Sequence, residues 1–107
     1  MQKMTQAEIR VIVGRRLRMA RMAAGFRFAK EFAEKLDIDQ NSYTPYERGV
    51  AYPPVHKLTL IKQLTGITMD WLFLGDTANL PVRVLEALEK EADRRGLAID
   101  GCRREEA

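Results

Sequence analysis

The sequence predicts an all-α protein, a compact set of five short helices followed by a sixth. Three observations carry this reading. Apolar residues recur at three- and four-residue steps in successive windows, a Gly or Pro stands at the ends of those windows, and no stretch alternates in the manner of a strand over a useful length. At 107 residues the chain suits one domain with a single small core.

Thr5 and Glu8 have the spacing of a capping box, so a first helix is expected to begin there. Ile9, Ile12, Val13, Leu17, Ala20 and Ala24 follow at helical steps, with Arg10, Arg15, Arg18 and Arg21 on other faces and Gly25 placed to end the helix. A second helix fits about Ala29 to Leu36, burying Phe32, Ala33 and Leu36 and turning Lys30, Glu34 and Lys35 to water. Asp37 to Gln40 forms a turn, in which Asp39 can cap a third helix by accepting from the amide of Asn41 or Ser42, and Gly49 closes that helix. Tyr43 and Tyr46, three apart, can pack inward while Gln40, Asn41, Ser42 and Thr44 stay partly free to face out.

GVAYPP reads as a loop, with Pro54 at the first position of a fourth helix whose apolar stripe is Val55, Leu58, Ile61 and Leu64 and whose stop is Gly66. Thr68 caps a fifth, short helix holding Met69, Trp71, Leu72 and Phe73, ended by Gly75. After a polar connector, Pro81 opens a sixth helix over about 81–95 with Val84, Leu85, Leu88 and Ala92 on one face. The segment LAIDGCRREEA after Gly96 offers little to bury and is expected to be a mobile tail. The expected organisation is a domain over 5–75, with 76–107 contributing the sixth helix and the tail.

Composition narrows the function classes. With 46% hydrophobic and 31% charged residues and no apolar run near the ~20 residues a bilayer requires, the chain reads as a protein without a membrane span. Its first ten residues lack a secretory core, and its single cysteine, Cys102, has no intrachain partner, so an intracellular, cytoplasmic protein is expected. Charge is unevenly spread: residues 1–62 hold 12 Lys and Arg against 6 Asp and Glu, and residues 63–107 hold 6 against 9. A basic larger part fits contact with a polyanion, or a solvated basic helix.

Several residues resemble the lambda-repressor-like (Cro/XRE-type) helix-turn-helix family over about residues 9–75. Gly14-Arg15-Arg16-Leu17-Arg18 with Arg21 is similar to its first helix, and Phe32-Ala33-Glu34-Lys35-Leu36 to the end of its second. Glu47-Arg48-Gly49 resembles the terminator of its third, Pro53-Pro54 its loop, and Asp70-Trp71-Leu72 its fifth helix. The resemblance implies a five-helix lambda-repressor-like DNA-binding domain here extended by a C-terminal helix. It further implies sequence-specific binding to double-stranded DNA, with the third helix in the major groove and the second across it near the backbone.

On this reading Gln40, Asn41, Ser42 and Thr44 are the base-reading candidates, since amides and hydroxyls can match the donor and acceptor edges of base pairs. Asn41 and Ser42 can equally be turn and capping residues. Arg27, Lys30 and Arg48, with Tyr52 and Lys57 near the following loop, are the phosphate-contact candidates; each can also be an ordinary solvated side chain, and Arg48 can bridge to Glu47 or another helix.

Two features depart from the family pattern. The hydroxyl-then-glutamine start of the second helix is replaced by Arg27-Phe28-Ala29-Lys30 with one residue more, so a glutamine contact there does not transfer. Pro45 lies within the third helix, where a proline costs about 3 kcal/mol. Either the helix bends there, or it begins near Thr44 with Pro45 in its first turn.

Catalysis is not expected: the chain has one His and one Cys, no metal-ligand spacing and no cofactor motif. The expected function is a prokaryotic or phage transcriptional regulator, a repressor on an operator, acting as a homodimer and open to a protein antagonist. The alternative is a protein-interaction module of the same fold, an antirepressor, antitoxin or polymerase-binding partner, with little or no DNA binding. The apolar face of the sixth helix can dock on the core, pair with a second subunit or receive a partner, and a homodimer is favoured because one half-site rarely gives tight binding.

Overall fold

The computed structural model describes residues 3–104, and among these it contains six helices and no strand. They are α1 (Gln6–Ala23), α2 (Ala29–Lys35), α3 (Gln40–Arg48), α4 (Val55–Thr65), α5 (Met69–Leu74) and α6 (Val82–Arg95). α1 is the longest and lies at the centre, packing on α3, α4, α5 and α6. Its start is the expected capping box, with the Thr5 hydroxyl accepting from the Glu8 amide and the Glu8 carboxylate accepting from the Thr5 amide.

The core is built from Val13, Leu17, Met19 and Ala20 of α1, Phe32, Ala33 and Leu36 of the α2 region, Tyr43, Ile61, Trp71 and Leu72, with Val84, Leu88 and Ala92 of α6. Burying each large apolar side chain contributes roughly 1.5–3 kcal/mol. Edge-to-face aromatic packing runs from Phe26 to Phe32 to Tyr43 to Tyr46, with centroid separations of 5.1, 5.5 and 6.0 Å. α1 and α3 approach closely because Gly14 has no side chain: a Cβ there would lie 2.5 Å from the Glu47 carbonyl oxygen and 2.7 Å from that of Tyr46.

Several expectations are corrected. The third helix does not begin near Thr44; it runs from Gln40, with Asp39 accepting from the Ser42 amide at 2.8 Å, and Pro45 lies inside it. The missing amide leaves the Asn41 carbonyl without a donor at position 45. Pro54 is the N-cap of α4 and not its first residue, and Val55, expected in the apolar stripe, is 77% exposed because the first turn of α4 points it away from the core. Ile9 and Ala24, at the two ends of the α1 stripe, are exposed as well. Arg21 is not on an outer face but is buried, as is Arg16.

The segment after Gly96 has far more to bury than its composition indicates. Leu97 and Gly101 are buried, and a single antiparallel bridge pairs Leu97 with Arg103. Its carbonyls are acceptors for the core: Trp71 Nε1 donates to Ile99 at 3.1 Å, Arg16 Nε to Asp100 at 2.6 Å and Arg15 Nη1 to Gly101 at 2.9 Å. Arg16 Nη1 also reaches the Leu72 carbonyl at 3.1 Å, so one buried guanidinium ties α1 to α5 and to this segment. Burial pushes the Arg16 pKa down, opposed by Asp100. Residues 105–107 of the expected mobile tail lie outside the described residues.

Candidate nucleic-acid interface

The turn between α2 and α3 is fixed by local chemistry. Leu36 caps α2 in the αR region, and Asp37 takes the left-handed conformation at φ 60°, which a short polar side chain tolerates. Ile38 then packs against the core, and Asp39 begins α3. Lys57 braces this turn from α4 by donating from Nζ to the Leu36 carbonyl at 2.6 Å. That tertiary bond has no sequence signature, and it commits one of the three donors of a candidate phosphate contact.

The inner side of α3 is anchored by a buried polar knot. Arg21 Nε donates to Glu47 Oε2 at 2.7 Å and Nη2 to Oε1 at 3.3 Å, with the two side chains 5% and 11% exposed. Arg21 Nη1 donates to the carbonyls of Phe26 and Arg27 at 2.8 and 2.9 Å, so the same guanidinium fixes the approach to α2. The Tyr43 hydroxyl donates to Glu47, and Tyr43 itself is fully buried. Burial and the adjacent Glu47 carboxylate push the Tyr43 pKa far up, which keeps its proton in place for that bond. Burial alone would lower the Arg21 pKa, but the Glu47 carboxylate outweighs it and the guanidinium stays charged.

With that side fixed, the outer side of the first turns of α3 is held toward solvent. Asn41 and Ser42 are exposed there, Gln40 is exposed at the helix start in line with Tyr43 and Glu47, and Thr44 is half-buried with its hydroxyl donating to the Gln40 carbonyl at 2.9 Å. Thr44 therefore retains only acceptor capacity for a further partner. Arg27 and Lys30 are exposed at the start of α2, and Arg48 is exposed at the end of α3, paired with no carboxylate among the described residues. Glu47, one of the partners open to Arg48, pairs with Arg21 instead. Tyr52 is 43% exposed and stacks edge-on against Phe73 at 5.9 Å, which holds its ring beside α5.

The structure thus places Gln40, Asn41, Ser42 and Thr44 on one short helix, with Arg27 and Lys30 on the neighbouring helix start. Arg48, Tyr52 and Lys57 lie at the far end of α3 and beyond it. The apolar stripe of α6 is not open to a partner: Val84, Leu88 and Ala92 are buried in the core against α1. None of the described helices is long and apolar enough to cross a membrane.

No protein-family model matches the chain. No solved structure matches it either. Over 64 residues the chain is 38% identical to the HTH-type transcriptional regulator ImmR of Bacillus subtilis (strain 168), a stretch that covers 60% of this chain and 50% of that protein. The chain therefore spans about half the length of that relative and is similar to it over a region the size of a helix-turn-helix domain.

Proposed function

We propose that the chain is a sequence-specific, double-stranded DNA-binding transcriptional regulator of the lambda-repressor-like type, a cytoplasmic repressor from a prokaryote or phage, with α3 in the major groove. The observation that carries this reading is the two-sided character of α3: Tyr43 and Glu47 lock one side, Asn41 and Ser42 are exposed on other faces, and Gln40 is exposed at the helix start. A base-reading helix needs both, because side chains that discriminate base edges must be displayed on a support that does not yield. Arg27, Lys30 and Arg48, with Tyr52 and the remaining donors of Lys57, supply backbone contacts around it. The relative's description as a transcriptional regulator supports the same class.

Action as a homodimer belongs to this proposal and rests on the affinity argument for two half-sites, since the α6 stripe is used within the core. A protein antagonist is one way to release the operator.

The test is an anisotropy titration on genomic duplex fragments at several salt concentrations. A dimer making about eight phosphate contacts gives a slope of log affinity against log salt near −7. Binding with no salt dependence, or none at all, contradicts the proposal and favours a protein-interaction module.

A further inference from the structure

Two arginines from distant parts of the sequence line one cleft. Arg27 lies just before α2 and Arg94 in the last turn of α6, and Met22 and Gly25 complete the lining of a cavity of about 360 Å³. Neither arginine was a product of the same local pattern: α6 follows the helix-turn-helix unit by more than thirty residues of chain. Both side chains are exposed, Arg94 by 72%.

Each is oriented from behind. Arg27 sits 5.9 Å from the Phe28 ring centroid, and its carbonyl is gripped by buried Arg21. Arg94 Nη1 donates to Glu91 at 3.2 Å, and the Glu91 side chain is only 6% exposed and also accepts from Arg95 Nε at 2.6 Å. Glu91 is thus answered by two guanidinium groups, and the neighbouring acid Asp93 is engaged by Arg104. No carboxylate lines the cleft, so its charge is cationic, and each planar guanidinium retains N–H donors for an anion.

A phosphate and a peptide carboxylate are the two anions this chemistry suits. Continuity favours phosphate: the cleft adjoins the start of α2, where Arg27 and Lys30 face outward, and duplex phosphates come in rows that a further cation in line can meet. We infer that the C-terminal end of α6 is part of the nucleic-acid interface, with Arg94 joining Arg27 on the sugar-phosphate backbone beyond the base pairs faced by α3. This inference rests on the DNA-binding reading above. It gives α6 a second task besides closing the core, and it makes binding sensitive to duplex outside the recognised bases.

The experiment compares wild type, Arg94→Gln and Arg83→Gln on a bound duplex with and without flanks of about half a helical turn on each side. Arg83 is exposed at the opposite end of α6, so its variant removes the same charge elsewhere. Wild type is expected to bind the flanked duplex more tightly. Arg94→Gln loses that gain and weakens binding about 3- to 10-fold at low salt, a gap that narrows about 3-fold per lost contact between about 50 and 200 mM salt. Arg83→Gln stays within about two-fold of wild type. Wild-type binding with an indifferent Arg94→Gln, or equal losses in both variants, overturns the inference alone. Absence of wild-type binding to every duplex overturns the DNA reading and this inference with it.

Discussion

Arg21→Ala is expected to lower the unfolding free energy by about 3–5 kcal/mol, the cost of breaking a buried pair by removing one partner. The Glu47 carboxylate, 11% exposed beside Arg21, would keep only the Tyr43 hydroxyl as a side-chain partner, and the Phe26 and Arg27 carbonyls would lose their donor. Against a typical total of about 5–15 kcal/mol this is a large share. Because the same knot holds α3 to α1 and fixes the entry to α2, the change should loosen the exposed side of α3 as well as the fold. Urea unfolding followed by circular dichroism measures the loss. The triple variant Arg21→Met, Tyr43→Phe, Glu47→Leu separates the two consequences, since an apolar replacement of all three side chains leaves no buried hydroxyl unpaired and is expected to recover part of the stability. A single variant within about 0.5 kcal/mol of wild type would show that the pair holds nothing together.

Ending the chain at Gly96 is expected to cost about 2–4 kcal/mol. The truncation removes the Ile99 carbonyl from Trp71 Nε1 and the Asp100 carbonyl from Arg16 Nε, and it uncovers the surface under Leu97. Buried donors left without partners cost about 1–3 kcal/mol each, reduced here by the water that enters when the segment leaves. Trp71 is fully buried, so its emission reports the change directly and should move to longer wavelength. An unchanged urea midpoint with unchanged Trp71 emission would mean that residues 97–104 lie on the domain without supporting it.

These two sites mark the boundary of what the sequence reveals. Helix starts and stops were legible because they depend on neighbours in the chain: Thr5 with Glu8, Asp39 with the Ser42 amide, Thr68 with the Trp71 amide, and the left-handed glycines at 49, 66, 75 and 96. The apolar stripe of α6 was legible as a stripe, but its periodicity cannot say what covers it. Arg21 was misread because a basic residue on an amphipathic helix is usually solvated, and its acceptor Glu47 lies 26 residues away in the chain, as the Asp100 acceptor of Arg16 lies 84 away. The segment after Gly96 was misread for the same reason: it is held largely by its backbone carbonyls, which composition does not register.

At the candidate interface the exposed amides and hydroxyls of α3 follow from position within a short helix, and the sequence pattern locates them. Pro45 was legible as a conflict but not in its resolution. The Asp39 cap and the inward packing of Tyr43 place the helix start at Gln40 in spite of the proline. Lys57 and Arg94 depend on the meeting of distant helices, so neither the brace on Leu36 nor the cleft with Arg27 has a local signal.

Selection from randomised duplexes tests the central claim most directly, using wild type alongside Gln40→Ala and Thr44→Ala. The account predicts that wild type recovers one defined motif, arranged as two symmetry-related half-sites, and that the Gln40 or Thr44 variant relaxes the preference at particular positions within it while keeping its spacing. A wild-type pool no different from the starting library, or an identical motif from all three proteins, would contradict base reading by α3.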